Sequence, residues 1–360
     1  MSRILCLIDS LGPGGAQRQL MGLGFFLKEQ GYDVIVAAYH DNRFYDDQLL
    51  SKGAQYVYVR KAHKGILRQW HLMRFIAKVN PDVLISFLES PSIRACVAHI
   101  FNRKFKLIVS ERNTSQHTGL AERVRFNLFR LADFVVPNAY AQSEYINTNF
   151  PFLSNKVYTI PNFVDLEHFV PPSDKTRRKV PEILVVATIW ASKNTLGLLD
   201  AIAKLKEEGL RFHINWYGKV DSSLDYLNQC VKKVENLGVG DCISFKEKTT
   251  QIRECYQDAD YFCLPSFYEG TPNVICEAMA CGLPVACSNV CDNSRYVAEN
   301  ENGFLFDPHN IESIAYALKR MLSLEDDDYA RYCLCSRKKA EQLLSRERFV
   351  KSYIELIEKI

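Results

Sequence analysis

Two glutamates set at a fixed interval suggest the first chemistry. Glu269 and Glu277, eight positions apart, lie in LPSFYEGTPNVICEAMACGLPV (264–285). An apolar run through Leu264 breaks at Pro265, and the chain restarts as a helix whose Thr271-Pro272 pair suits the N-cap and first helical position. Glu269 then falls in a strand-to-helix loop and Glu277 in the second turn of the helix. The unpaired amides of a helix start hold anions, each contact contributing roughly 0.3–1 kcal/mol when exposed and about 2 kcal/mol when partly buried. Carboxylates beside such an end accept hydrogen bonds from hydroxyls. A ligand with both phosphates and hydroxyls, such as a nucleotide-sugar, matches the combination; the plainer reading is a solvated helix carboxylate and a loop charge.

Two further stretches bear on the same chemistry. RILCLI (3–8) runs into LGPGGAQRQL, where Gly12, Gly14 and Gly15 imply a backbone that approaches something closely or takes positive φ. It is not a dinucleotide fingerprint, because Gln17 stands where the last glycine of G-x-G-x-x-G belongs. Lys193, in ATIWASKNTLGLL, places an ammonium just ahead of another helix start. Asp258-Ala-Asp260 has the DxD form that can hold a metal, yet it leads straight into YFCLP and reads as a solvated strand start. No metal or other cofactor is expected.

The elements that must position these residues alternate along the chain. Strand-like runs begin at Arg3, Asp33, Asp82, Lys106, Asp133 and Lys156, with helix-like stretches between them and Gly31 as the C-cap of the first. Such nearly all-apolar strands belong to a parallel sheet covered on both faces, with ligands at the carboxyl ends of its strands. The loops at Glu89 and at SERNTSQH (110–117) should therefore open toward a ligand. PPSDKTRRK (171–179) is polar and proline-bearing, as a linker is. A second alternation starts at EILVVAT (182–188) and ends with helices near 310–322 and 327–343. Two doubly wound domains follow: residues 1–170, a linker over 171–180, and residues 181–345, with 346–360 as a last amphipathic helix.

The totals fit an ordinary globular protein. The 360 residues are 47% hydrophobic and 24% charged, with a net charge of +3, too small to argue for nucleic acid. Basic residues do gather at Arg60, Lys61, Lys64 and Arg68, at Arg103, Lys104 and Lys106, and along 120–131 at Arg123, Arg125 and Arg130. They suit either a solvated face or peripheral contact with an anionic membrane. No run reaches the ~18 apolar residues of a membrane span, and the short N-terminal run is broken at Asp9, so a cytoplasmic location is expected. Twelve cysteines without a CxxC pair read as small buried hydrophobes in a reducing compartment.

The pattern PS-x-x-EG-x-P-x-x-x-x-EAMA-x-G-x-PV resembles the signature of the retaining glycosyltransferases of family four, and similar bacterial enzymes build surface polysaccharides. That resemblance implies the GT-B fold, two Rossmann-like domains facing across a cleft. It implies that Glu269 contacts donor-sugar hydroxyls, that Glu277 holds the ribose, and that Gly270, Thr271, Pro272 and Asn273 turn their backbone toward the phosphates. Gly14 and Gly15 would face the distal phosphate, and Lys193 would pair with the diphosphate as electrostatic catalyst. IPNFVDLEHF (160–169) matches the family's IPN-G-VD segment, with Phe163 in place of the glycine. Thr188 stands where the family has a second phosphate-binding arginine, so either Thr188 serves as a hydrogen-bond donor only or Arg18 or Arg112 fills in. Arg112, His117 and Arg18 are the acceptor-side candidates. The resemblance implies a metal-independent transfer of sugar from a nucleotide-sugar to a glycan or lipid-linked acceptor; a nucleotide-sugar epimerase or a non-catalytic nucleotide-sugar-binding protein are the alternatives.

Overall fold

The computed structural model describes residues 2–42, 44, 55–59, 65–113, 118–173, 175–219 and 225–359. The chain divides into two compact units, Met1–Phe163 with Arg346–Ile360, and Val164–Ser345. The expected site residue His117 and the basic residues Arg60, Lys61 and Lys64 lie outside the described residues.

In the first unit the strands are β1 (Arg3–Ser10), β2 (Asp33–His40), β3 (Gln55–Tyr58), β4 (Val83–Phe87), β5 (Lys106–Glu111) and β6 (Phe134–Pro137). All pairings are parallel, in the order β3-β2-β1-β4-β5-β6. Alternate residues of each strand go to opposite faces, so β1 sends Ile4, Cys6 and Ile8 into one core and Leu5 and Leu7 into the other. The first core is covered by α1 (Gly15–Glu29) and α13 (Arg346–Glu358). The second lies under α2 (Ile66–Val79), α3 (Glu89–Phe101), α4 (Leu120–Phe129) and α5 (Tyr140–Asn149). The expected amphipathic helix at the C-terminus therefore belongs to this unit. Gly31, at φ 89°, takes the left-handed turn just after the end of α1.

The second unit repeats the plan with β7 (Glu182–Val186), β8 (His213–Tyr217), β9 (Ile243–Lys246), β10 (Tyr261–Leu264), β11 (Val285–Ser288) and β12 (Gly303–Phe306), ordered β12-β11-β10-β7-β8-β9 and parallel throughout. Its helices include α6 (Thr195–Glu207), α7 (Asp225–Leu237), α8 (Ile252–Asp258), α9 (Asn273–Ala280), α10 (Asn293–Tyr296), α11 (Ile311–Leu322) and α12 (Asp326–Leu343). Among the described residues no helix is long and apolar enough to cross a membrane.

Four local expectations need correction. The run from Lys156 makes no strand: a bridge between Val135 and Val157 forms, the Tyr158 and Ile160 amides donate to the Val135 and Pro137 carbonyls, and the pairing ends where β6 itself ends, at Pro137. Residues 171–180 are no free linker, because the units part at Phe163–Val164. Lys175 donates to the Ala259 carbonyl, Arg177 reaches Leu324 and Asp326, and Arg178 reaches Asp258, so basic side chains fasten the segment to its own unit. Helix α9 starts one residue later than expected: Pro272 is its N-cap, with ψ 91°, and its carbonyl receives the Ile275 and Cys276 amides. Finally, Asp260 is fully buried rather than solvated, accepting the Glu182 amide at 2.8 Å and the Arg178 amide at 3.3 Å.

Candidate functional site

In the second unit the chain leaves β7 toward β8 and β9, then returns to place β10 on the opposite side of β7. The loops after β7 and β10 consequently leave the carboxyl edge at the switch point, the place where sheets of this kind bind ligands. Lys193 is carried by the first loop and Glu269 by the second. Lys193 Nζ lies 2.5 Å from Glu269 Oε1, with the two side chains 25% and 13% exposed. The Phe267 amide donates to the Ser192 carbonyl at 2.9 Å, which joins the two loops beside that ion pair. From the next strand, Ser288 Oγ donates to the Ser266 carbonyl at 2.6 Å. An ammonium and a carboxylate are thus held by backbone ties on a rigid edge.

Glu277, on α9, is only 5% exposed, which disposes of the solvated-carboxylate reading. Its Oε2 accepts the Tyr256 hydroxyl at 3.0 Å. Tyr256, on α8, is itself fully buried and packs edge-on to Phe169 and tilted against Phe262. Gly270, Thr271, Pro272 and Asn273 complete the loop into α9, with no side chain capping the helix start. First-turn amides of such an end point along the helix axis toward whatever sits before it.

Thr188 is exposed just beyond β7. The turn beside it is braced by Trp216, whose indole donates to the Ala187 carbonyl at 2.8 Å, and by Gly218. A Cβ at Gly218 would come within 1.8 Å of the Ala187 oxygen, so only glycine permits this approach. Tyr256, Trp216 and Gly218 carry no local sequence sign of these roles. Their partners are distant in the chain, and nothing in a one-dimensional pattern links them.

In the first unit the equivalent switch lies between β1 and β4. Gly14 is the N-cap of α1, at φ −169° and ψ 158°, and among the described residues Gly12, Gly14 and Gly15 all lie outside the left-handed region. Of the two reasons expected for these glycines, close approach is the one left. Gly15 and Arg18 are exposed at this turn. Arg112 differs from expectation. Its guanidinium donates to Asn162 Oδ1 at 2.6 Å and to the Tyr353 hydroxyl at 2.7 Å, and it lies 3.9 Å over the Phe87 ring. Arg112 thereby clamps α13 to β5 and the 160s segment.

Next to it lies Glu111, which no sequence pattern marks. Burial pushes its carboxyl up to about 7, against the opposing pull of Arg125. Arg125 forms ion pairs with Glu89 at 3.0 Å and with Glu111 at 3.6 Å, its side chain 5% exposed, so this arginine of the basic 120–131 stretch is internal. Phe163, the departure from the glycine pattern, also has a local explanation. A Cβ on Gly22 would sit 2.3 Å from its ring, which packs against Phe26 and Phe349, while buried Gln19 bonds both its amide and its carbonyl.

Known proteins match this arrangement across almost the whole chain. The model of glycosyltransferase family 4 covers residues 13–168, and that of glycosyl transferases group 1 covers 169–336. A Campylobacter jejuni relative, N-acetylgalactosamine-N,N'-diacetylbacillosaminyl-diphospho-undecaprenol 4-alpha-N-acetylgalactosaminyltransferase, is 24% identical over 91% of both chains. An Escherichia coli UDP-Gal:alpha-D-GlcNAc-diphosphoundecaprenol alpha-1,3-galactosyltransferase is 30% identical over 46% of this chain and 45% of its own. Among solved structures, HepE of Anabaena in complex with UDP and glucose superposes with a TM-score of 0.85 at 19% identity, covering 100% of both chains.

Proposed function

Because the chain belongs to the glycosyltransferases of family four and has the GT-B fold, we propose that it moves a sugar from a nucleotide-sugar to a lipid-linked saccharide during surface-polysaccharide biosynthesis. In this reading Glu269 accepts hydrogen bonds from donor-sugar hydroxyls, and Glu277, set by Tyr256, accepts from the ribose. Gly270, Thr271, Pro272 and Asn273 present the loop and helix start to the phosphates, with Gly14 and Gly15 approaching the distal one. The observation that carries the reading is the Lys193–Glu269 pair at the switch point.

The transfer forms a bond from an acceptor hydroxyl oxygen to the anomeric carbon and breaks the bond from that carbon to the diphosphate. The diphosphate leaves with the electron pair and takes the acceptor's proton, with retention of configuration. Charge grows on its oxygens, and the Lys193 ammonium stabilises it; each ~1.4 kcal/mol at that point is tenfold in rate. We take the reaction to be metal-independent. Asp260 of the DxD run supports this, since its carboxylate is already engaged by two backbone amides.

A UDP-linked hexose or N-acetylhexosamine is the donor to test first, given what the relatives and HepE are named for. The enzyme would work at the cytoplasmic face of the membrane that holds its acceptor. A thermal-shift panel of uridine, guanosine and adenosine diphosphate sugars tests the donor, and release of nucleoside diphosphate only when a lipid-linked acceptor is added tests the transfer. Conversion of donor alone would favour an epimerase, and binding without release would reduce the protein to a sugar-nucleotide binder.

A further inference from the structure

The carboxyl edge of the first sheet holds a cavity that the donor chemistry does not use. It measures about 330 Å³ and is lined by Gln69 of α2 and by Glu89, Ser90, Ile93 and Arg94 of α3. Small-molecule sites span roughly 300–1,000 Å³, so this one stands at the small end, the size of a sugar ring more than of a nucleotide. Four of its five lining residues are polar or charged, which suits hydroxyls and offers little to a lipid chain.

Its walls are set by a strained turn and a buried tyrosine. Leu88, just after β4, takes φ 75° and ψ 163°, a region almost reserved for glycine. Its amide donates to the Ser110 carbonyl and its carbonyl accepts the Ser92 amide, each at 3.2 Å, so the turn is tied on both sides. Strain of this kind persists where the surrounding structure fixes it, and here it delivers Glu89 and Ser90 to the cavity. The hydroxyl of Tyr39, a residue 4% exposed, donates to Ser90 Oγ at 2.9 Å, which leaves the serine's own hydrogen to donate elsewhere. Gln69 Nε2 donates to the Arg94 carbonyl at 3.0 Å, which leaves Oε1 as an acceptor.

Arg94 supplies the charge. Among the described residues it forms no ion pair, and its Nε is buried without a hydrogen-bond partner. Its guanidinium lies 5.5 Å from the centre of the Tyr39 ring and beside the Tyr39 hydroxyl. A buried donor left unpaired is costly, and the planar fork of arginine matches a carboxylate or a phosphate. Arg68 lies 5.4 Å from the centre of the same ring, so two guanidinium groups gather at one tyrosine. The acids nearby are already engaged. Glu89 pairs with Arg125 at 3.0 Å, and Asp9, whose charge reaches the Tyr39 hydroxyl, accepts the Ser10 amide at 2.7 Å. Among the described residues the balance around the cavity is positive.

We infer that this cavity holds an anionic group of the acceptor saccharide, a carboxylate or a phosphate, paired with Arg94 and receiving a hydrogen bond from Ser90. Glu89 and Gln69 accept from hydroxyls of the ring that carries it. The inference rests on the proposed transfer to a saccharide and narrows its class: the acceptor is an acidic sugar or a glycosyl phosphate, and a neutral glycan lacks the group that Arg94 is placed to meet.

The test is titration of the full chain, followed by saturation-transfer NMR, with glucuronate, glucose 1-phosphate and glucose. Saturating UDP is present throughout, which keeps the probes out of the donor site. At least one acidic probe should bind about tenfold tighter than glucose, as one charged hydrogen bond requires. Arg94→Gln should abolish that preference, and Arg94→Lys should retain part of it. Ser90→Ala should weaken the preferred probe about threefold. Preference for glucuronate assigns the charge to an acidic sugar, and preference for glucose 1-phosphate assigns it to a glycosyl phosphate. Equal binding of all three probes, no binding of either acidic one, or a preference that survives in Arg94→Gln overturns the inference. Thermal stabilisation by a nucleotide-sugar should be the same in the wild type and all three variants. If no nucleotide-sugar stabilises any of them while an acidic probe still binds through Arg94, the proposed function falls and the anionic-saccharide site stands.

Discussion

Replacing Glu269 by glutamine should separate the two halves of the donor. Lys193 Nζ is 2.5 Å from Glu269 Oε1, and neither side chain is more than 25% exposed. Any diphosphate that recruits this ammonium must compete with the carboxylate for it. At an effective dielectric of 20, unit charges 4 Å apart interact by roughly 4 kcal/mol. The net value of the pair is smaller, because solvent reaches the lysine and both groups lose hydration; ~1–2 kcal/mol lies between exposed ion pairs and charged hydrogen bonds. Glu269→Gln should therefore tighten UDP about 5- to 30-fold. The same variant should weaken UDP-sugar relative to UDP, and should lower turnover, since the group proposed to accept from the sugar hydroxyls has lost its charge. Lys193→Met should weaken UDP and abolish transfer while keeping the fold. Calorimetric titration of UDP and UDP-sugar into the three proteins reads these signs directly. Equal weakening of both ligands in Glu269→Gln, or wild-type UDP affinity in Lys193→Met, would refute the competition.

Other perturbations act on the supports of the site. Tyr256→Phe removes the hydroxyl that holds Glu277 and should weaken nucleotide binding by about 1 kcal/mol, with Glu277→Ala losing far more; identical effects of the two on calorimetric affinity would deny Tyr256 its positioning role. Glu111 has its carboxyl raised from 4.5 to about 7 by burial, so the folded state holds a proton that the unfolded state releases. That stabilisation, on the order of 3 kcal/mol, is complete below pH 4.5 and lost as pH rises through 7. Melting curves of Glu111→Gln should lack the decline, and parallel pH profiles would contradict it. Arg112→Met should destabilise the first unit by roughly 1.5–3 kcal/mol per charged hydrogen bond lost, without a selective rise in acceptor KM; a KM effect at unchanged stability would return it to the acceptor side. Gly218→Ala should cost about 1–3 kcal/mol in denaturant titration from the clash with Ala187.

The repeated parallel sheet was legible because its strands are apolar on both faces and separated by helical periodicity. The placement of Glu269 and Lys193 in loops after strands, and of Glu277 on the helix that follows, was legible because loop and helix signals are local in the sequence. What escaped notice depends on distant partners. Glu111 looks like one acid in a polar loop, and only the fold puts Arg125 beside it in a buried pocket. Asp260 looks solvated until the backbone of 178–182 folds over it. The linker reading of 171–180 failed for the same reason: composition reports polarity, and the fold decides whether those basic side chains find carbonyls.

The two departures from the family's pattern have different physical standing. Phe163 is accommodated within its own unit, since Gly22 leaves space for a ring that then packs on Phe26 and Phe349. Thr188 itself is exposed just beyond β7. Arg112, one of the two arginines expected to fill in, already directs its guanidinium to Asn162, Tyr353 and Phe87 inside its unit, and burial holds its pKa below the usual arginine value. Drawing it toward a phosphate would strip two charged hydrogen bonds from a part-buried site, at a cost comparable to the whole gain from one ion pair. Lys193, by contrast, sits on the switch-point loop and would give up only one partly exposed partner, so on the proposed reading it is the cation that can turn toward a diphosphate at least cost.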